Sequence, residues 1–329
     1  MSNKISLPKI RISISEACQL KCSFCGGNES KMENFQPCNL KPLAKNELKD
    51  IILSYLANGG KYVQFTGGEP LLNKDLPDYI KLVQEAGGIP EVNTNGIALT
   101  KEKALQLKES GLKLIKVSIP SFEENEYKTI TGVDTLGKVI SNVSNALNYL
   151  SVRINVVATR DTMRNISSIL DEVKKLGVNQ VVLLEYLYYP HVSSKEDFIK
   201  NHVDVIKEYG DVIKKLYPIH TIYTANNLFE MIDMFSNQEG NFTVCVKQAR
   251  TVMRLPECYN CPSFCQEGAY ELRLSTGGYL SFCNITNSFG KLCSGRSFEE
   301  LNKIFCEYQT ILFNTKRCDN NEFYNRLQK

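Results

Sequence analysis

Histidine is scarce in this chain, with three among 329 residues. Zinc modules that combine cysteine with histidine therefore have little to build from. No run of about 18 apolar residues occurs, so no membrane-spanning helix is expected. The opening segment Met1–Pro8 lacks the long apolar core of an export signal. Charge of one sign is also lacking: 39 Lys+Arg against 36 Asp+Glu leave +3, too little to argue for nucleic acid. The hydrophobic share of 43% and charged share of 23% fit a globular protein, and 329 residues suffice for one large domain or two ordinary ones. These absences predict a cytoplasmic protein with neither a membrane nor nucleic acid as a partner.

Cysteine, by contrast, is plentiful, with twelve in the chain. Without an export signal, that number points to metal ligation rather than disulfides. Seven fall in two tight groups, Cys18/Cys22/Cys25 and Cys258/Cys261/Cys265/Cys283. The other five, Cys38, Cys245, Cys293, Cys306 and Cys318, fit ordinary buried thiols. The first group reads Cys-x3-Cys-x2-Cys with Phe24 just before the last cysteine. Three thiolates on one loop can hold three irons of a [4Fe–4S] cluster and leave the fourth iron open to a small molecule. A bacterial ferredoxin run is spaced differently.

Strand-like and helix-like segments alternate along the first half. Strands are predicted at Lys9–Ser15, Tyr62–Thr66, Pro90–Asn93, Leu114–Ile119, Val152–Ala158 and Gln180–Tyr186. Helices are predicted at Asn46–Leu56 (Asn46 as N-cap), Leu76–Glu85, Lys101–Ser110, Leu136–Leu150 and Ile166–Leu176. Such alternation argues a parallel sheet wrapped by helices, in the α/β class. Six units fall short of the eight strands and about 250 residues of a closed barrel. The expectation is a partial (β/α)6 TIM-like barrel, with its site at the C-terminal strand ends. The cysteine loop follows the first strand at that end.

Beyond Pro190 the pattern changes. Glu196–Leu216 reads as one long charged helix and Ala225–Phe235 as another. Tyr270–Ser275 and Tyr279–Cys283 flank a hairpin turn at Thr276-Gly277-Gly278. The predicted divisions are a barrel over 1–190, a helical connector over 191–240 and a cysteine-rich domain over 241–329.

The cysteine spacing, with its aromatic residue, resembles the signature of the radical S-adenosylmethionine (SAM) family. Thr66-Gly67-Gly68-Glu69-Pro70 after the second strand is similar to that family's motif for the SAM amino group. Asn93-Thr94-Asn95-Gly96, Ser118 and Asn155 stand where the family contacts the ribose and carboxylate of SAM. Backbone capping is the plainer reading of Ser118 and Asn155. Ile130–Thr135 and Ile154–Val157 also resemble the GTP 3′,8-cyclase subgroup of molybdenum-cofactor biosynthesis. The resemblance implies a [4Fe–4S] cluster on Cys18, Cys22 and Cys25. It also implies SAM held near Phe24, Gly67, Gly68, Glu69, Asn95, Ser118 and Asn155, and an external electron donor such as flavodoxin or ferredoxin.

The second group, Cys258-x2-Cys261-x3-Cys265-x17-Cys283, could saturate a second [4Fe–4S] cluster or hold zinc. Cys265-x12-Gly278-x4-Cys283 resembles half of the SPASM pattern, as in the shortened twitch domain. The cyclase subgroup spaces its auxiliary cysteines as Cys-x2-Cys-x13-Cys and ends in Gly-Arg-Arg. This chain does neither, which argues against GTP cyclisation. The resulting expectation is hydrogen-atom abstraction from a small polar metabolite: a sugar, nucleoside or amino-acid derivative. That choice rests partly on an N-terminus too short for a separate peptide-recognition domain. Alternatives are a ribosomal-peptide maturase and a non-enzymatic iron–sulfur redox sensor. Glu185, Tyr188 and His191, at the end of the sixth strand, are the candidate substrate-site residues; Glu185 would be the polar anchor.

Overall fold

The computed structural model describes residues 6–25, 40–187, 194–225, 230–247, 251–254, 271–283, 290–313 and 316–319. Six parallel strands form its centre: β1 (Ile10–Ser13), β2 (Tyr62–Thr66), β3 (Ile89–Thr94), β4 (Leu114–Ser118), β5 (Ser151–Ala158) and β6 (Gln180–Glu185). Between them run α1 (Lys45–Ala57), α2 (Leu76–Glu85), α3 (Lys101–Glu109), α4 (Glu124–Thr131), α5 (Leu136–Ala146), α6 (Arg160–Arg164) and α7 (Ile166–Lys175). This is the predicted α/β partial barrel. α1 starts one residue before the predicted cap. Ala44 occupies the cap position, and the Glu47 carboxylate accepts its N–H at 2.8 Å.

Alternation within the strands divides the barrel into two environments. Ile10, Ile12, Val63, Val92, Ile115 and Ile154 share one face and pack with helix residues such as Ile51, Ile80, Val143 and Val173 in one apolar core. Each fully buried side chain of this size contributes roughly 1.5–3 kcal/mol. Residues of opposite parity face the lumen, and there Lys9, Arg11, Glu91, Lys116 and Arg153 gather.

The later chain extends both flanks of the sheet. α8 (Lys195–Asn201) and α9 (Val205–Leu216) replace the single predicted helix, because Asp204 caps α9 by accepting the Lys207 N–H at 3.0 Å. The helix predicted at Ala225–Phe235 is instead a β-hairpin, β7 (Ile219–Ala225) and β8 (Glu230–Ser236). The stretch predicted as a helical connector therefore holds two strands as well as two helices. β9 (Thr243–Lys247) pairs parallel to β6. β10 (Thr251–Arg254) pairs instead with a strand near the end of the chain. On the other flank β11 (Leu272–Leu274) pairs parallel to β1 and continues into β12 (Tyr279–Ser281), as the hairpin prediction required. β13 (Lys291–Leu292), α10 (Phe298–Phe313) and β14 (Lys316–Asp319, the partner of β10) complete the described elements. The large sheet runs β13-β12-β11-β1-β2-β3-β4-β5-β6-β9-β8-β7. Against the upward push of burial, Arg273, Arg11, Lys9 and finally Lys247 on β9 lower the pKa of Glu271 beside β11; six strands separate β9 from β11, so the sheet curls until its flanks face each other. No helix among the described residues is long and apolar enough to cross a membrane.

Candidate active site

The cysteine loop leaves β1 at the C-terminal mouth of the barrel. Cys18 and Cys25 are exposed and Cys22 is half-buried. Three neighbouring segments fix its backbone. Gly68 N–H donates to Ser15 O at 2.7 Å and Glu69 N–H to Ala17 O at 2.8 Å. Lys21 N–H donates to Thr131 O and Ser23 N–H to Ile130 O, each at 2.9 Å. These last two bonds use carbonyls that the end of α4 leaves without helical partners. Gly132 closes that end at φ +77°, a left-handed conformation natural to glycine. Thr276, in the β11–β12 turn, donates its hydroxyl to the Glu16 carboxylate at 2.8 Å. The C-terminal hairpin is thus tied directly to the cysteine loop.

Gly67 and Gly68 have a clear steric role. A Cβ on Gly67 would lie 2.3 Å from Ser15 O, and one on Gly68 would lie 2.3 Å from Ala17 O. The glycines admit the backbone of the cysteine loop. Glu69 is 0% exposed. One carboxylate oxygen accepts from Thr94 Oγ1 at 2.7 Å and Leu71 N–H at 3.0 Å, and the other accepts from Asn95 N–H at 2.7 Å. Burial raises its pKa against the pull of these three donors. Its carboxylate therefore joins the loop after β2 to the end of β3.

The three thiols interact. Burial, then the neighbouring Cys25 and Cys18, push the Cys22 thiol up to about 12. Desolvation of its sulfur also raises Cys18, opposed by the Leu20 N–H and the Asn95 amide. Three converging thiolates repel one another, and a cationic iron centre removes that repulsion by ligating all three. Among the described residues, no group of three or more His, Cys, Asp or Glu is gathered for a single metal ion. An iron–sulfur cluster spreads its ligands over several irons, so the donor set fits a cluster better than a lone ion.

The other predicted site residues divide. Phe24 is partly exposed within the loop. Asn95 turns its amide toward Cys18. Ser118 is exposed at the end of β4 and pairs in register with Asn155, which is buried on the lumen side of β5. Glu185 pairs with Ala158, in the register of Val181 and Leu183, so it has the opposite parity to the lumen cluster. Tyr188, His191, Cys258, Cys261 and Cys265 lie outside the described residues. Cys283, just after β12, is half-buried, and its N–H donates to Ser281 Oγ at 3.0 Å.

Sequence reasoning missed the charged lumen. Lys116 is wholly buried, with Nζ 2.6 Å from Glu91 and pKa lowered well below the usual lysine value, chiefly by burial. Lys116, Lys9 and Arg153 together hold Glu91 down to about 2 despite its burial. Lys9 lies 3.8 Å from Glu91, and Arg273 lies 2.8 Å from Glu271. The signal was available: parallel strands buried on both faces read as continuous apolar runs, yet Lys9 and Arg11 alternate with Ile10 and Ile12.

The chain is similar to known proteins. The radical SAM superfamily model matches residues 12–173. The GTP 3′,8-cyclase of Limosilactobacillus fermentum is 31% identical over 279 residues, covering 83% of this chain and 78% of the relative. Among solved structures, native anSMEcpe with bound AdoMet gives a TM-score of 0.56 at 16% identity, covering 93% of this chain and 83% of that one. Streptococcus suis SuiB bound to S-adenosylmethionine gives 0.58 at 16% identity, covering 85% of this chain and 60% of SuiB. This chain thus spans 60% of SuiB's length, and at these identities the two structures speak for the fold alone.

Proposed function

The chain belongs to the radical SAM superfamily, and from that premise we propose that this enzyme abstracts a hydrogen atom from a small polar metabolite held in the barrel lumen. The observation that carries the substrate reading is the lumen's charged lining. Among the described residues Lys9, Arg11, Lys116, Arg153, Lys247 and Arg273 stand with Glu91 and Glu271. Even with Lys116 set aside, because burial lowers its pKa, five cations with two carboxylates favour a guest with an acidic group, such as a phosphorylated or carboxylated sugar, nucleoside or amino-acid derivative.

Cys18, Cys22 and Cys25 would hold the [4Fe–4S] cluster, and the loops after β2 to β5 would hold SAM. When bound, the cluster and SAM supply an electron and a carbon-centred radical strong enough to take hydrogen from a C–H bond. The protein's part is to place that bond, and to keep out water and thiols that would divert the radical. Cys258, Cys261, Cys265 and Cys283 would hold a second cluster. The tie between Thr276 and Glu16 supports placing this second group near the first. An external flavodoxin- or ferredoxin-type protein would deliver the electrons.

The test is deoxyadenosine formation by reconstituted enzyme, offered acidic small metabolites in one series and linear peptides in another. A small acidic compound that is converted, detected by mass change, and whose KM rises at least tenfold in Arg153→Met supports the reading. Conversion of peptides alone, with no effect of Arg153→Met, overturns it and favours peptide maturation.

A further inference from the structure

We infer that Asn95 acts as a positioning residue that raises the reduction potential of the Cys18-bound cluster, and that buried Glu69 fixes its orientation. The inference rests on the reading that Cys18, Cys22 and Cys25 carry the cluster.

The geometry assigns the backbone N–H and both side-chain polar atoms of Asn95. Its backbone N–H donates to Glu69 at 2.7 Å. Its side-chain Oδ1 accepts from the Ile97 N–H at 2.9 Å, which fixes the amide orientation because only an oxygen can accept there. The amide nitrogen then carries two hydrogens. One faces Gln19 Oε1 at 3.1 Å and the other faces Cys18 Sγ at 3.7 Å. The Leu20 N–H supplies a second donor to the same sulfur at 3.4 Å. Asn95 is 8% exposed, so its own amide is held largely away from water.

Glu69 sets this arrangement from below. It has no exposed surface to offer a ligand, and its three bonds pin Thr94, Asn95 and Leu71 together. The Thr94 hydroxyl, while donating to Glu69, accepts from the Gly96 N–H at 3.0 Å. The end of β3 is therefore locked on both sides of Asn95.

The consequence concerns one electron. Reduction adds one negative charge to the cluster and its thiolates. A donor aimed at a ligand sulfur stabilises the reduced state more than the oxidised state, so the potential rises. Without the Asn95 donor the cluster becomes harder to reduce.

The experiment is a dye-mediated redox titration of anaerobically reconstituted protein. It follows the electron paramagnetic resonance signal that changes on adding SAM, which separates this cluster from any second one. Asn95→Ala should keep its iron and show a lower midpoint potential. Asn95→Asp keeps the acceptor for Ile97 and should also titrate lower, which covers the case of an alanine variant that folds poorly. Gln19→Ala leaves the Asn95 donor in place and should titrate like the parent. In a Glu69→Gln background, Asn95→Ala should lower the potential by less than in the parent, since the orienting carboxylate is already gone. An unchanged midpoint in both Asn95 variants overturns the inference, as does an equal fall in Gln19→Ala. Equal falls from Asn95→Ala in both backgrounds remove Glu69 from the role. Failure of the parent to bind iron or to show a SAM-sensitive signal refutes the cluster assignment itself.

Discussion

Gly68→Ala should disable the cysteine loop without touching a cysteine. The added Cβ would stand 2.3 Å from Ala17 O, 2.7 Å from Ala17 C and 2.9 Å from Glu16 O. All three are backbone atoms, so no side-chain rotation relieves the clash. Restoring an ordinary contact distance moves the loop by roughly 1 Å. That movement stretches the bonds from Gly68 N–H to Ser15 O and from Glu69 N–H to Ala17 O. Overpacking costs about 1–3 kcal/mol, and two weakened hydrogen bonds add roughly 0.5–1.5 kcal/mol each. The sum is about 2–6 kcal/mol, which lowers Tm by roughly 4 °C or more. Ala17 adjoins Cys18, so the displacement passes directly to the first iron ligand. Calorimetry of the apo-protein and iron per chain after reconstitution measure the two effects. Gly137→Ala is the matched control. Gly137 lies within α5 with nothing within 4 Å of an added Cβ, and alanine there should stabilise by up to about 1 kcal/mol. A Gly68→Ala protein that melts within about 1 °C of the parent, with full iron, would refute the steric argument.

Three further predictions follow from the same geometry. Glu91 has a pKa depressed from 4.5 to about 2, so its contribution is present above pH 4.5 and is lost as pH falls toward 2; acid denaturation of Glu91→Gln should be shallower over that window. Gly132→Ala places a side chain at φ +77° where the α4 carbonyls receive the cysteine loop; it should lose about 1 kcal/mol and some bound iron, with Gly132→Asn milder because asparagine tolerates that conformation. Metal analysis should find about eight irons per chain if both cysteine groups hold four-iron clusters, whereas four irons and one zinc would assign the second group to zinc.

The barrel was legible because its elements carry clear local signals. Strand 2, YVQFT, and α2, from Leu76 to Glu85, have the predicted bounds, each closed by glycine or another turn signal. The hairpin at Gly278 was equally plain, since that glycine adopts φ +82°. The segment after Pro190 was not legible by periodicity. Glu230–Ser236 (EMIDMFS) supports a helical spacing as readily as an alternating one, and only pairing with β7 and β9 decides it. The break at Asp204 was readable as a cap but lay inside a continuous charged pattern. At the site, the cysteines stood out by their spacing, and Gly67-Gly68-Glu69 by their resemblance to the radical SAM motif. Their physical roles did not: the glycines admit a neighbouring backbone and Glu69 faces inward, and both depend on loops distant in sequence. The lumen charges were missed because Lys9, just before β1, and Glu91, Lys116 and Arg153, on β3, β4 and β5, are far apart in sequence and meet only when the sheet curls.

The most direct measurement is anaerobic incubation of reconstituted protein with SAM and dithionite, with 5′-deoxyadenosine quantified for the parent and for a variant carrying Cys18→Ala, Cys22→Ala and Cys25→Ala. The account predicts deoxyadenosine from the parent and none from the triple variant, which should also lose one cluster. Deoxyadenosine from the triple variant, or none from a parent with a full complement of iron, would contradict it.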